Sequence, residues 1–271
     1  MTNTDDLQSL QQGHRARLRK KFNDGQLTEY ELLELLLTYA IPRRDVHALS
    51  RQLYKKYGNI HHLISASKES LIANPGVKEN VATFLKLICK ITTLEYKNTL
   101  DAAPIFHNYE KMENYCKLLL AGKRIEEFHV FYLNSQYKLI EDELHSTGTI
   151  DWAAVYVREI VKKALDLNAT NIVLLHNHPS GCTSFSTQDI QMTQELANAM
   201  EQLGIYLYDH LLISGGILYS ARNLRLLDEK HYSSSSKDTR LTGPESITSK
   251  DSYNNASSDC ENFLLRKSNN S

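Results

Sequence analysis

Two short segments, LLHNHPSG at residues 174–181 and STQD at residues 186–189, decide how the second half of the chain folds. The apolar run at 172–175 has the length and continuity of a strand that is buried on both faces. Pro179 ends this strand, because proline cannot continue a ladder of backbone hydrogen bonds. Residues 189–203 then have helical spacing. The sequence therefore predicts a buried strand, a tight loop and a helix in succession.

The two histidines of this segment form a candidate metal site. Side chains two apart on an extended chain point the same way, so His176 and His178 leave the end of the strand on one face. The loop at Gly181 turns the chain back, which lets Asp189 in the first turn of the helix supply an oxygen ligand. Two imidazoles and one carboxylate leave a fourth zinc position for water, as catalytic sites do. We predict one Zn2+ per chain and an activated water.

Simpler interpretations exist for the same residues. A His-x-His pair at a strand end is frequent in proteins without a metal. Ser186 and Asp189 fit a helix capping box, which needs no ion. Cys182 is an alternative third ligand, although a small side chain beside Gly181 is also typical of a loop.

Composition places the chain among ordinary globular proteins. Its 271 residues are 41% hydrophobic and 23% charged, which suits one large domain or two of average size. The apolar runs fall short of the roughly 18 to 20 residues that cross a bilayer, and the N-terminus is polar, unlike a secretory signal. The four cysteines contain no Cys-x-x-Cys pair, which fits neither a disulfide framework nor a thiolate zinc site. We expect a cytoplasmic protein without a membrane-spanning segment.

Strand and helix patterns alternate in the predicted second domain, residues 104–227. Residues 127–133 alternate in the strand period, and the polar residues 134–136 predict a hairpin that returns through 139–145. Further elements are predicted as helices at 109–120 and 154–167, and strands at 207–213 and 217–220. The fold class predicted from this pattern is α/β (mixed α+β), a mixed sheet flanked by helices.

Residues 1–100 predict an all-helical domain. They carry 15 Lys and Arg against 10 Asp and Glu, a net charge of +5, whereas the rest of the chain has −6. The segment LIANPGV at 71–77 lies between two helical patterns and predicts a helix-hairpin-helix-like unit. From residue 228 to residue 271 the chain is rich in Ser, Asn, Thr and Lys, which predicts a disordered polar tail.

The spacing of the candidate ligands resembles a known metalloprotease motif. His-x-His-Pro at 176–179, followed six residues later by Ser-x-x-Asp at 186–189, resembles the motif of the JAB/MPN, or JAMM, metalloproteases. The longer segment HNHPSG at 176–181, with Asp-His at 209–210, resembles the RadC family, an uncharacterised MPN-containing bacterial family. This resemblance covers about residues 12–228 and implies a JAB/MPN-like fold. It also implies that zinc is held by three residues, His176, His178 and Asp189.

The resemblance also implies roles for a glutamate and a serine. JAMM proteases use a glutamate at the start of an early strand as proton shuttle, and both Glu126 and Glu127 precede Phe128 here. RadC relatives usually have Glu-x-Phe, and the strand period places Glu126 on the same face as Phe128, so Glu126 is the predicted shuttle and Glu127 the alternative. Ser186 is implied as a hydrogen-bond donor to the tetrahedral oxyanion. His210 could orient one of the metal ligands, but we interpret it as a buried histidine satisfied by a backbone group.

Two functions are compatible with these features. The first is a zinc-dependent metallohydrolase of the JAMM type that cleaves peptide or isopeptide bonds in a protein or peptide substrate. The second is a DNA-associated repair or recombination factor in which the metal site is structural or vestigial. The hairpin at 71–77 favours DNA as a partner, although Lys78 stands where such hairpins usually have a second glycine. The open zinc position and Glu126 favour the hydrolase.

Overall fold

The computed structural model describes residues 4–102, 104–105, 109–148 and 154–226. The predicted tail at 228–271 lies outside the described residues. The chain divides into two compact units, Met1–Thr92 and Thr93–Ser271, and this division falls within one long helix. The predicted boundary between residues 100 and 104 stays a prediction. None of the helices in the described ranges has both the length and the apolar character that crossing a membrane requires.

The first unit is built from helices alone in its described residues. They are α1 (Thr4–Asn23), α2 (Glu29–Ala40), α3 (His47–Tyr57), α4 (Ile60–Ser65), α5 (Lys68–Ile72) and α6 (Glu79–Ala102), of which α6 continues into the second unit. Helix α2 begins with a capping box, because the Thr28 hydroxyl accepts from Glu31 N and Thr28 N donates to the Glu31 carboxylate over 3.1 Å. Helix α3 ends at Gly58, whose φ of 81° favours glycine.

A tight hairpin joins α5 to α6. Val77 N donates to the Asn74 carbonyl over 3.0 Å, and Gly76 between them has a φ of 90°. The buried Asn74 amide holds the end of α5, because it donates to the carbonyls of Ser70 and Leu71 over 2.7 and 2.9 Å. The predicted helix-hairpin-helix arrangement is therefore present.

The second unit is a mixed sheet with helices on both faces, which confirms the predicted fold class. Its further elements are α7 (Tyr109–Leu119), β1 (Glu127–Leu133), β2 (Leu139–Thr147), α8 (Ala154–Asp166), β3 (Asn171–Asn177), α9 (Thr187–Glu201), β4 (Tyr206–Ser214) and β5 (Ile217–Ser220). The strand order is β2-β1-β3-β4-β5. Among these described strands, β3 and β4 form the only parallel pair, and the other neighbouring strands are antiparallel.

Alternate residues of the strands supply two separate hydrophobic cores. On one face, Val130 and Leu174 pack with α8 and α9 through residues such as Leu196. On the other face, Phe131 and Leu175 pack with α7 and with the last turns of α6. This alternation follows from the period of two along each strand.

Strand β3 occupies the centre of the sheet, between β1 and β4. All seven of its residues are buried, as expected for a strand covered on both faces. Its register places His176 opposite Phe128 on β1 and Leu212 on β4. His176 and Leu174 therefore lie on the face of the sheet that α9 covers, and His176 is close to the end of the strand.

Truncation of a central β3 side chain will test this packing. Leu174 is fully buried, so we expect Leu174→Ala to lower the free energy of unfolding by about 2–5 kcal/mol, through lost burial and a residual cavity. Urea denaturation followed by circular dichroism measures this loss. The control is Leu144→Ala on β2, where the side chain is 49% exposed and the expected change is within about 0.5 kcal/mol. Equal losses in the two variants would contradict the central position of β3.

Candidate metal centre

Strand β3 and helix α9 bring the three predicted ligands together. His176 is the last but one residue of β3 and is fully buried. His178 follows directly, and its backbone N–H donates to the Ile213 carbonyl of β4 over 3.0 Å, so the chain still follows the sheet. Asp189 lies in the first turn of α9 and is 4% exposed. The loop between His178 and Asp189 turns the chain back, so the Asp189 carboxylate lies beside the two rings.

The ligand atoms form a triangle of the size that zinc requires. His176 Nε2 lies 3.0 Å from His178 Nε2, and the two nitrogens lie 3.6 and 3.7 Å from Asp189 Oδ2. In a tetrahedral zinc site with bonds of about 2.0–2.1 Å, neighbouring ligand atoms lie about 3.3 Å apart. The three atoms therefore match three corners of a zinc tetrahedron.

The hydrogen bond behind His178 determines which of its nitrogens is free. Its Nδ1 lies 3.0 Å from the Cys182 carbonyl oxygen. A carbonyl oxygen only accepts, so Nδ1 carries the proton, and in the neutral ring Nε2 presents a lone pair. Cys182 thus acts through its backbone, while its sulfur lies 3.3 Å from Ser184 Oγ and is not part of the ligand group. Asp189, and not Cys182, is the third group that the fold supplies.

A chain of hydrogen bonds behind His176 determines its tautomer in the same way. The Thr193 hydroxyl donates to the Asp189 carbonyl, so its oxygen accepts from His210 Nδ1, 2.7 Å away. The other nitrogen of neutral His210, Nε2, then accepts from His176 Nδ1 over 2.9 Å. His176 Nε2 is left with a lone pair. Our expectation that a backbone group satisfies His210 was wrong, because the partners of its ring are His176 and Thr193.

Three acceptor atoms therefore converge with no donor between them. The lone pairs of His176 Nε2 and His178 Nε2 face each other and the Asp189 carboxylate, which is repulsive unless a cation lies among them. Metal ligation requires this arrangement, with neutral imidazoles and an ionised carboxylate. The donor set and its protonation fit a zinc ion.

Burial and neighbouring charges shift the pKa values of the residues in and behind this group. Burial favours the neutral form of Asp189, but when a proton instead of a metal ion occupies the group, the protonated rings of His176 and His178 donate to this carboxylate, and their hydrogen bonds and charge hold the pKa of Asp189 well below its usual range. Burial also disfavours the charged form of His178, yet Asp189, and to a lesser extent Glu126, raise the pKa of that ring. Burial and then the charge of His176 lower the pKa of His210 far below its usual value, which keeps this ring neutral.

The two candidate glutamates differ in their surroundings. Glu126 is half-buried just before β1, on the face of Phe128, and its charge reaches His178. Glu127 points to the opposite face, where its carboxylate bonds Lys123 Nζ over 2.7 Å and lies 3.5 Å from His129 Nε2. The charge of Glu126 thus acts on His178, whereas Glu127 is paired elsewhere.

Ser186 is the N-cap of α9. Its hydroxyl and its backbone N–H both donate to Asp189 Oδ2, over 2.7 and 2.8 Å, and its oxygen accepts from Asp189 N over 3.1 Å. This is the predicted capping box, and it coexists with the ligand group. Because Oδ2 is the oxygen that faces the histidines, Ser186 also fixes the orientation of the candidate ligand.

Similarity to known proteins identifies the family of this chain. The family model described as the RadC-like JAB domain matches residues 106–226. The UPF0758 protein of Fusobacterium nucleatum subsp. nucleatum is 38% identical, over 77% of this chain and 94% of its own length. The UPF0758 protein of Ruegeria pomeroyi is 39% identical, over 77% of this chain and 95% of its own. The chain belongs to the RadC family. The RadC-like JAB domain accounts for the mixed sheet, and the matches to the relatives are long enough to include helices of the first unit.

Sequence reasoning missed Thr193 of this RadC site, and it considered His210 as a residue that orients a ligand but set it aside. His210 lies on β4 beside β3, and Thr193 lies one helical turn after Asp189 on α9. The spacing of four residues between Asp189 and Thr193 was a usable signal, because residues i and i+4 share one face of a helix.

Loss of the Thr193 hydroxyl will test the supporting chain. We expect Thr193→Val to weaken Zn2+ binding about 10–100-fold, because the ring of His210 and then that of His176 lose their fixed orientation. Competition titration with a chromophoric zinc chelator measures this affinity. The matched control is Thr92→Val on α6, where the hydroxyl bonds the Ile88 carbonyl over 3.0 Å within its own helix. An unchanged affinity in Thr193→Val would exclude the supporting role.

Proposed function

We propose that this chain is a zinc-dependent metallohydrolase of the JAMM type, with one Zn2+ per chain at this centre, which cleaves peptide or isopeptide bonds in a protein or peptide substrate. The observation that supports it most is the convergence of three potential ligand atoms, His176 Nε2, His178 Nε2 and Asp189 Oδ2, at distances of 3.0–3.7 Å. Glu126, whose charge acts on His178, adds the carboxylate that hydrolysis needs.

The number of ligands favours catalysis over a structural role. Structural zinc sites have four protein ligands, whereas catalytic sites have three and an open position. Within the described residues, this ligand group contains only His176, His178 and Asp189. The fourth position is thus available to water or substrate.

The residues of the chain have separate tasks in the proposed reaction. His176, His178 and Asp189 would hold the ion, which when bound supplies a Lewis acid that acidifies a water and polarises the scissile carbonyl. The Glu126 carboxylate takes a proton from the attacking water and delivers it to the leaving amine. Ser186 turns its hydroxyl towards the oxyanion as the substrate binds. Its backbone N–H keeps the 2.8 Å contact that orients Asp189.

Exchange of the two glutamates for glutamine will test the proton shuttle. We expect Glu126→Gln to retain zinc and to lose about 10²–10⁴-fold in kcat, because the amide cannot accept the proton. Glu127→Gln is the matched control and retains activity, since its carboxylate faces Lys123. His178→Ala loses both zinc and activity. Zinc content by elemental mass spectrometry and turnover on a panel of peptide and isopeptide substrates measure the two properties.

The same variants distinguish Glu126 from Glu127 as the proton shuttle, and the measurements distinguish a hydrolase from a structural or vestigial metal site. Full activity in Glu126→Gln with loss in Glu127→Gln would transfer the shuttle to Glu127. A wild-type chain that binds no zinc, or that binds zinc and hydrolyses none of the panel, would contradict the hydrolase proposal and favour a structural or vestigial metal site.

A second candidate function, DNA association, is favoured by the hairpin of the first unit. The turn between α5 and α6 is closed by the 3.0 Å bond from Val77 N to the Asn74 carbonyl, with Gly76 at a φ of 90°. Such turns present backbone amides to a phosphate, and the net charge of +5 over residues 1–100 adds attraction. Lys78, at the start of the following helix, is exposed and would contact phosphate as a point charge.

Reversal of the Lys78 charge will test this second function. We expect Lys78→Glu to weaken binding of a short DNA duplex and to reduce the slope of log affinity against log salt by at least about 1, because one phosphate contact is lost. Fluorescence anisotropy at several salt concentrations measures both quantities. The control is Lys162→Glu on α8, an exposed lysine paired with Asp166. No binding by the wild type at low salt would contradict DNA association.

A further inference from the structure

A second group of potential metal ligands lies in the helical unit. Three separate helices contribute to it: His14 from α1, Glu34 from α2, and His47, the first residue of α3. One nitrogen of each ring and one carboxylate oxygen lie within 4.8 Å of one another. No short-range spacing links these residues, so the fold alone brings them together.

Both rings approach the same carboxylate oxygen. His14 Nε2 lies 2.9 Å and His47 Nδ1 lies 3.2 Å from Glu34 Oε1. These separations are close to the roughly 3.3 Å between neighbouring ligand atoms in a tetrahedral zinc site. The Tyr30 hydroxyl, 3.3 Å from His47 Nδ1, adds a polar group on the same side.

The burial of Glu34 indicates that a cation belongs there. Its side chain is 3% exposed, and it sits among the buried leucines of α2. In the part of the chain that the structure describes, its ion-pair partners are the two histidines, with no lysine or arginine among them. Hydrogen bonds from two imidazole rings leave this buried carboxylate without a permanent positive charge beside it, which is costly at low dielectric. A divalent ion between these groups compensates that charge.

Access from solvent favours an exchangeable ion. The side chains of His14 and His47 are 42% and 47% exposed, so water and ions can reach these rings from solvent. Two imidazoles and a carboxylate suit zinc and its neighbours in the first transition row, whereas Mg2+ and Ca2+ prefer oxygen ligands.

We propose that His14, Glu34 and His47 form a second metal site, which binds one divalent transition-metal ion such as Zn2+ and ties α1 to α2 and α3. It shares no residue with the centre at His176, His178 and Asp189, and it does not depend on the proposed hydrolase activity.

The contact of His47 with Arg51 bears on which nitrogen of the His47 ring binds the ion. Arg51 Nη2 lies 3.4 Å from His47 Nε2, and a guanidinium only donates hydrogen bonds. A metal on His47 Nδ1 places the ring proton on Nε2, so this contact must open when the ion binds. Arg51 is exposed and can move into solvent. We therefore expect Arg51→Ala to retain the second site and to bind the ion at least as tightly as the wild type.

The experiment uses the full chain with and without the first centre. His178→Ala/Asp189→Ala removes two ligands of that centre and isolates the helical site. Zn2+ is titrated into the metal-free wild type and into this double variant, and bound zinc is counted by elemental mass spectrometry. We expect two equivalents in the wild type, one in the double variant, and a higher melting temperature of the double variant when Zn2+ is present. Mg2+ is expected to give no such increase.

Further substitutions in the double variant identify the ligands. His14→Ala, His47→Ala and Glu34→Gln should each abolish the remaining equivalent and the zinc-dependent rise in melting temperature. The histidine variants keep the fold, because both rings are half-exposed, and circular dichroism verifies this. The control is His62→Ala, an exposed histidine of the same unit outside the group, which should retain the ion.

The outcomes distinguish this proposal from the hydrolase proposal. If the wild type binds only one zinc and His178→Ala/Asp189→Ala binds none, the second site does not exist while the first stands. If the double variant binds zinc that His14→Ala does not remove, the assignment of the ligands is wrong. If the double variant loses its zinc only with the three named substitutions, the second site stands, whatever the chain hydrolyses.

Discussion

Strand β3 lies at the centre of the sheet with both faces buried, and the placement of the candidate centre depends on this constraint. Strand β3 pairs with β1 and with β4, and its apolar side chains alternate between the two cores, with Leu174 in one and Leu175 in the other. A shift by one residue would move every apolar side chain to the wrong core and His176 to the wrong face. The packing that stabilises the domain is therefore the same packing that aims His176 at α9.

The packing of the sheet places the ligands, and hydrogen bonds around the centre orient them. His176 is linked through His210 and Thr193 to the backbone carbonyl of Asp189, so two of the three ligands are joined by one chain of hydrogen bonds. Because the Asp189 carbonyl oxygen can only accept, it determines the direction of every hydrogen bond in this series. Because the chain is buried, leaving one member without its partner would be expensive. The arrangement keeps three lone pairs together in the absence of any donor between them, as a site prepared for a cation requires.

Local sequence patterns predicted the parts of the structure that local forces determine. The apolar run before His176, the break at Pro179 and the capping box at Ser186 predicted the strand, the loop and the helix that carry the ligands. The role of His210 was not predictable in this way, because it depends on the parallel pairing of β3 with β4 and joins residues 34 apart. The same reason applies to Glu34, whose two histidines lie 20 and 13 residues away and share no helix with it.

The two histidine and carboxylate groups have the same donors but differ in how firmly their rings are held. In the sheet, the rear nitrogen of each ring has a partner that fixes its tautomer, namely the Cys182 carbonyl and His210. In the helical unit, His47 turns its second nitrogen to Arg51, a donor that must leave before the ion can bind at Nδ1. When an ion binds, a preorganised site loses less free energy in ordering its ligands. The sheet centre should therefore hold its ion more tightly, and the helical site should release its ion first to a chelator.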